Sequence, residues 1–292
     1  MLRSIPFSRK PGWWLTLRLK PLALSEWIEI DENFASQLQL KAELLRDRHD
    51  EMFAALPGSI AAQQEVLDLL IDHLLNYYPQ HYQRQSGHLL NCATGEVWHL
   101  ADFAEKPLDL AGRLVQEDWC VLLPQAGEHV LVAGSVCFPS RWRLQDKLGR
   151  SLLGVHAPVP GYAEKLARPV DTVFDRLRAN HPSIRFNWSI VDTPDLCLMT
   201  AHGEAGVDPT IALENAGDKL WLRVERQTLR RLPQTNGILF GIRTSIAPLW
   251  QVKADRSMAL QLADALEQMP VEGRAYKSLL PIQSVLLAYL RG

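Results

Sequence analysis

Residues 149–166, GRSLLGVHAPVPGYAEKL, set a single imidazole, His156, between an apolar run and the pair Pro158 and Pro160. Each proline fixes its own φ and restricts the residue before it, so the chain around this histidine is stiff. A histidine in such a loop either fills space and meets a backbone carbonyl, or is held for a ligand. Neutral imidazole is a good donor to iron or zinc. No second histidine or carboxylate stands nearby at the spacing that a zinc site made of protein ligands needs. A haem asks for less, because the porphyrin supplies four nitrogens and one axial imidazole suffices. The spacing fits haem better than zinc and leaves the packing role open.

Two strand-like stretches carry the next candidates. In LWLRVERQ (220–227), alternation sets Leu220, Leu222 and Val224 on one face and Trp221, Arg223 and Glu225 on the other. In GILFGIRTS (237–245), Ile238, Phe240 and Ile242 share a face, with Leu239, Gly241, Arg243 and Ser245 opposite. Across a hairpin turning at Asn236-Gly237, Arg223, Glu225 and Arg243 are expected on one surface. Two guanidiniums and a carboxylate orient an anion, a propionate or bound oxygen, or form salt bridges on a solvated face. Gly241, lacking a side chain in mid-strand, allows another group to approach. In SIRFNWSI (183–190), Asn187 stands with Arg185 and alternates with Phe186 and Trp188, and either donates to a ligand or satisfies backbone. Glu117 and Asp118 open an apolar strand, where paired carboxylates serve acid–base work or solvate the strand end.

The elements that must position these residues follow from periodicity. Helices are expected over DENFASQLQLKAELLRDRHDEMFAAL, with Asp31 as N-cap, and over SIAAQQEVLDLLIDHLLNYYP, from Ser59 to the stop at Pro79. HLLNCATGEVWHL predicts a hairpin near Thr94-Gly95, and QEDWCVLLP and HVLVAGSVCFP predict strands. SRWRLQDKLGRSLLG predicts a helix broken at Gly149. GYAEKLARPVDTVFDRLRANHP predicts a helix bent or interrupted at Pro169. IRFNWSIVDTPDLCLMT predicts two strands around Thr193-Pro194, and the last ~40 residues read as helical. Helices, a mostly antiparallel sheet with helices between its strands, then helices again make an α+β chain. No GxGxxG or GxxxxGK[ST] loop offers a nucleotide site.

The 292 residues are 47% hydrophobic with a formal net charge of −2, which excludes the basic excess of a general nucleic-acid binder. Arg9, Lys10, Arg18 and Lys20 interrupt any apolar run of leader length, and no stretch reaches membrane-span length. The expected setting is soluble and intracellular, in the cytoplasm. Cys92, Cys120, Cys137 and Cys197 stand far apart with no CxxC pair, so a local zinc knuckle is excluded and an iron–sulfur cluster in this chain is not expected. Nine tryptophans suit flat surfaces packed around something large.

The blocks QEDWCVLL, CFPSRWRLQDKLGRSLLGVHAPVPGY, RFNWSI and LRVERQTLRRLPQTNGILFGIRTSIAPL resemble, in order, the motifs of the haem-dependent oxidative N-demethylase α-subunit family, from about residue 25 to about residue 250. The resemblance implies a PAS-like curved antiparallel sheet with flanking helices, holding haem b between sheet and helix. The corresponding division is an N-terminal extension at 1–85, a haem-binding domain at 86–250 and C-terminal helices at 251–292, in one compact unit. It implies O2-dependent oxidation of a small secondary amine such as dimethylamine, with release of formaldehyde. Electrons are expected from partner subunits that carry FMN, a [2Fe–2S] centre and tetrahydrofolate. On this resemblance His156 is the axial ligand to the haem iron, and Arg223, Glu225, Arg226, Arg243 and Asn187 are candidates for the oxygen and amine site. Arg141 and Lys147 are candidates for the propionates or, equally, for charge on a helix surface. A haem-PAS gas or redox sensor without turnover is the alternative.

Overall fold

Strands form where alternation is strongest, and helices where apolar residues recur every third or fourth position. The computed structural model describes residues 15–201 and 207–292; Arg9 and Lys10 lie outside the described residues. The first half contains β1 (Lys20–Pro21), α1 (Phe34–Asp47), α2 (His49–Met52), β2 (Phe53–Ala55), α3 (Ile60–Tyr77), β3 (Tyr82–Gln85), β4 (His88–Asn91), β5 (Val97–His99), α4 (Pro107–Leu114), β6 (Asp118–Gln125) and β7 (Glu128–Ser135). The second half contains α5 (Leu152–Val155), α6 (Tyr162–Lys165), α7 (Ala167–Arg176), β8 (Ser183–Val191), α8 (Ala216–Lys219), β9 (Trp221–Arg231), β10 (Ile238–Pro248), α9 (Leu249–Ala254), α10 (Arg256–Glu267), α11 (Val271–Tyr276) and α12 (Gln283–Arg291).

A seven-stranded sheet runs in the order β1-β8-β9-β10-β6-β7-β2, and β3-β4-β5 form a small sheet beside it. Every pairing in the large sheet is antiparallel, so this is an α+β chain. Helices cover both faces. On one, Tyr162, Leu166, Val170 and Phe174 of α6, α7 and their junction meet Cys120, Leu122, Leu229 and Ile238 of the sheet. On the other, α3 and α4 pack against Trp119, Val121 and Leu239. There too α10 and α12 cover Trp188, Ile190, Leu222 and Val224. Among the described residues no helix is long and apolar enough to cross a membrane.

Several boundaries depart from expectation, each for a local reason. The helix expected from Asp31 through the alanines of 54–55 stops at Asp47, and residues 53–55 instead pair with β7 as an edge strand. Asp31 is not the N-cap: it accepts from the Asn33 N–H at 3.0 Å, and α1 begins at Phe34. No helix forms over 140–150. β8 runs up to the Thr193-Pro194 turn; in place of the second strand expected after it, the described residues make one bridge, Leu198 to Ser140. Pro169 falls in the first turn of α7, where its missing N–H costs no helical bond, so the break comes earlier, at Leu166.

Gly241 does permit a close approach, and the approaching group is an indole. A Cβ there would stand 2.6 Å from Trp119 Cζ3 and 2.7 Å from Thr228 Oγ1. Trp119 is fully buried and its Nε1–H donates to the Ala111 carbonyl at 3.1 Å, so the ring cannot slide away freely. Gly241→Ala is therefore expected to lower the unfolding free energy by about 1–3 kcal/mol, the usual cost of overpacking. Urea titration checks this, and an unchanged midpoint would show that the Trp119 ring yields.

Candidate functional site

The quoted loop builds its histidine from a single helical turn. Ser151 Oγ accepts from the Gly154 N–H and starts α5, and His156 follows as the residue that ends it. The His156 backbone N–H and its ring Nδ1 both reach the Leu152 carbonyl, at 3.2 and 2.9 Å. A carbonyl oxygen only accepts, so Nδ1 carries the hydrogen and Nε2 keeps its lone pair. Burial pushes the imidazole pKa down to about 4, against the opposing pull of the Leu152 bond and with help from the Arg185 and Lys147 charges. The ring is therefore neutral at pH 7. Tyr162 stacks on it, centroids 4.4 Å apart and planes 7° from parallel. The turn into α6 passes through Gly161 at φ +75°, a conformation that L side chains rarely adopt.

Facing this loop is the polar part of the sheet face that α5–α7 cover. Register pairs Asn187 with Glu225 and Arg185 with Gln227, so all four side chains share that face. Glu225 Oε2 accepts from Asn187 Nδ2 at 3.2 Å and from Gln227 Nε2 at 2.8 Å. Lys277, just after α11, donates to Asn187 Oδ1 at 3.2 Å and to the Trp188 carbonyl at 2.6 Å. An ammonium only donates and a carboxylate only accepts, so the Asn187 amide can point only this way. Burial draws the Lys277 pKa down to about 8, with Glu225 opposing. Arg185 is within electrostatic reach of His156, Tyr162 and Glu225.

The other expected residues separate from this group. β9 and β10 pair so that an odd-numbered residue of one always faces an even-numbered residue of the other: Arg223 faces Ile246, and Arg243 faces Arg226. The expectation that Arg223, Glu225 and Arg243 share one surface is thus corrected; Arg243 and Arg226 lie on the opposite face. There Arg226 donates to the Trp27 and Glu26 carbonyls and pairs with Glu29 at 3.3 Å. Arg243 donates to the Glu29 carbonyl at 2.9 Å and pairs with Asp31 at 2.7 Å, so both fasten residues 26–31 to the sheet. Arg223, on the Glu225 face, is fully buried and spends its guanidinium on the Leu196 and Phe138 carbonyls, at 2.9 and 2.6 Å. Arg141 pairs with Asp192 at 3.4 Å. Lys147 stays near the histidine but donates to the Val155 carbonyl at 2.7 Å, closing the end of α5.

Glu117 and Asp118 are both buried and serve the frame. Glu117 Oε1 accepts from the Glu29 N–H at 3.3 Å, and Asp118 takes the N–H groups of Cys137 and Phe138. Burial pushes the Cys120 thiol up to about 12 and raises Cys137 further, so neither is a ready thiolate. The sequence sets Arg185 beside Asn187 without giving it a role, and it does not single out Gln227 or Lys277. Alternation alone places Arg185 and Gln227 beside Asn187 and Glu225. Lys277 carried no signal, lying 90 residues beyond its partner Asn187.

The model of the family described as haem-dependent oxidative N-demethylase, alpha subunit-like, matches residues 18–287. The chain belongs to this family. Family membership makes it an oxidoreductase subunit that depends on haem, and the matched span takes in Lys277 as well as His156. The donor set fits that group: a neutral imidazole with Nδ1 anchored on a carbonyl and Nε2 open is the arrangement of a metal-ligating histidine. Tyr162 Oη beside it is buried without a hydrogen-bond partner among the described residues.

Proposed function

We propose that this chain is the haem b-binding catalytic subunit of an O2-dependent oxidative N-demethylase that acts on a small secondary amine such as dimethylamine and releases formaldehyde, working in the cytoplasm. The observation that carries the reading is the neutral, carbonyl-anchored His156 in the loop over the sheet face that bears Glu225 and Asn187, with Lys277 reaching Asn187 from beyond α11. His156 is the residue to hold the iron through Nε2. Haem, when bound, supplies the one-electron and oxygen chemistry.

The chain's own groups bind and orient. Both donors to Glu225 reach Oε2, which leaves Oε1 to accept an N–H of the amine. Asn187, turned by Lys277, fixes the carboxylate plane, so the amine is presented in one orientation. Positive charge on this face comes from Arg185 and Lys277; Arg226 and Arg243 stabilise the opposite face, and Arg223 acts through the backbone it holds. The sheet with its α5–α7 cover serves as the PAS-like haem-binding unit, residues 86–250, with β1 and β2 added from the first 85 residues. Electrons reach it from partner subunits that carry FMN and a [2Fe–2S] centre, and a tetrahydrofolate-binding partner takes up the formaldehyde. The missing nucleotide motifs in this chain support that division.

The test is formaldehyde production from dimethylamine by the purified chain loaded with hemin and given a chemical reductant and O2. Glu225→Gln is expected to lower kcat/KM about 10- to 100-fold, the effect of losing a charge-assisted hydrogen bond, with haem content unchanged. If the reduced, haem-loaded chain forms no formaldehyde from any small secondary amine, the demethylase reading is wrong.

A further inference from the structure

Among the described residues, Arg185 is the cation of the site face with no hydrogen-bonded partner. Its Nε is buried and finds no hydrogen-bond acceptor among the described residues, and the same holds for Tyr162 Oη. Glu225 is close enough to balance its charge, yet the oxygen Oε2 is already taken by Asn187 and Gln227. Lys277 and Lys147, the neighbouring ammonium groups, are both spent on carbonyls. Leaving a guanidinium N–H and a phenol O–H unpaired in a buried place is costly, so an acceptor for both belongs there. Tyr162 lies flat against the His156 ring, which places this pair of donors next to the axial imidazole.

We propose that Arg185 and Tyr162 form a carboxylate clamp beside His156 and that the carboxylate they take is a haem propionate. This rests on the haem reading of His156 above. The guanidinium fork matches a planar two-oxygen acceptor, and the phenol supplies a further donor. Of the groups that an imidazole Nε2 can hold, a porphyrin with propionates is the one that brings its own carboxylates. The clamp takes the role that the family resemblance suggested for Arg141 and Lys147, whose charges are engaged elsewhere.

The test is titration of the apo-protein with hemin and with hemin dimethyl ester, followed by absorption, for the wild type, Arg185→Gln and Tyr162→Phe. The wild type is expected to prefer the free acid about 10- to 100-fold, as for a charge-assisted pair. Arg185→Gln should lose most of that preference while keeping the absorption maximum of the wild-type hemin complex, and Tyr162→Phe should lose part of it. Because Arg185 is unpaired without the ligand, thermal unfolding of apo Arg185→Gln should occur at or above the wild-type temperature. A frame role would lower it instead and would overturn the clamp; should that variant fail to fold, Tyr162→Phe alone decides. Equal binding of acid and ester by the wild type, or a full preference kept in both variants, overturns the clamp and leaves the haem reading standing. A folded wild type that takes up neither porphyrin overturns both.

Discussion

His156→Ala yields a folded chain whose hemin complex lacks the wild-type axial absorption signature and whose formaldehyde production falls by about 100-fold or more. The estimate follows from the proposed ligation: loss of an outer-shell partner alone weakens a metal site by about 10- to 100-fold, and on that proposal this variant removes the donor itself. The fold should survive, because the ring contributes one hydrogen bond, to Leu152, and one stack, on Tyr162. The α5 turn keeps its Ser151 cap and the Lys147 bond to Val155. Free imidazole diffusing into the space left by the ring should restore part of the signature. A variant that binds hemin with an unchanged spectrum would place the axial ligand on another residue.

Lys41→Met should destabilise the fold by about 3–5 kcal/mol, the cost of leaving a buried charge without its partner. Lys41, on α1, is fully buried; its ammonium stands 3.3 Å from Asp118 and donates to the Val115 and Glu117 carbonyls at 3.1 and 2.5 Å. Asp118 in turn holds the Cys137 and Phe138 N–H groups at 2.9 and 2.7 Å, and the Phe138 carbonyl receives Arg223 at 2.6 Å. This relay fastens the root of the loop that carries His156. Chemical unfolding of Lys41→Met, and of Lys41→Met with Asp118→Asn, measures it. The double variant should recover part of the loss, since the amide oxygen still accepts an N–H without burying a charge. Additive losses would show that the two residues do not act as a pair.

The residues of the site were readable to different depths. His156 stands out because two prolines and a short apolar turn are local facts, and its Leu152 anchor lies one helical turn away. Alternation along β8 and β9 is equally local, and it correctly sets Asn187 beside Arg185 and Glu225 beside Arg223. Family likeness in the motif blocks added the haem, a conclusion that no spacing of donors in this chain would reach unaided.

What a sequence determines by itself here is what depends on neighbours a few positions apart: the α+β order of elements, the stiff histidine turn, and the faces of single strands. Only the tertiary structure decided which strand faces meet and which cations remain unspent. A hairpin's register depends on its turn, and one step of slip exchanges every side chain between faces, which is how Arg243 came to stand with Arg226 and not with Glu225. Long side chains then reach whatever carbonyl lies nearest in space. Arg223, Arg226 and Arg243 find theirs, whereas Lys277 arrives at Asn187 from the far end of the chain. Hydrogen-bond saturation is a property of the packed molecule, and it left Arg185 as the cation with an unpaired buried N–H beside His156.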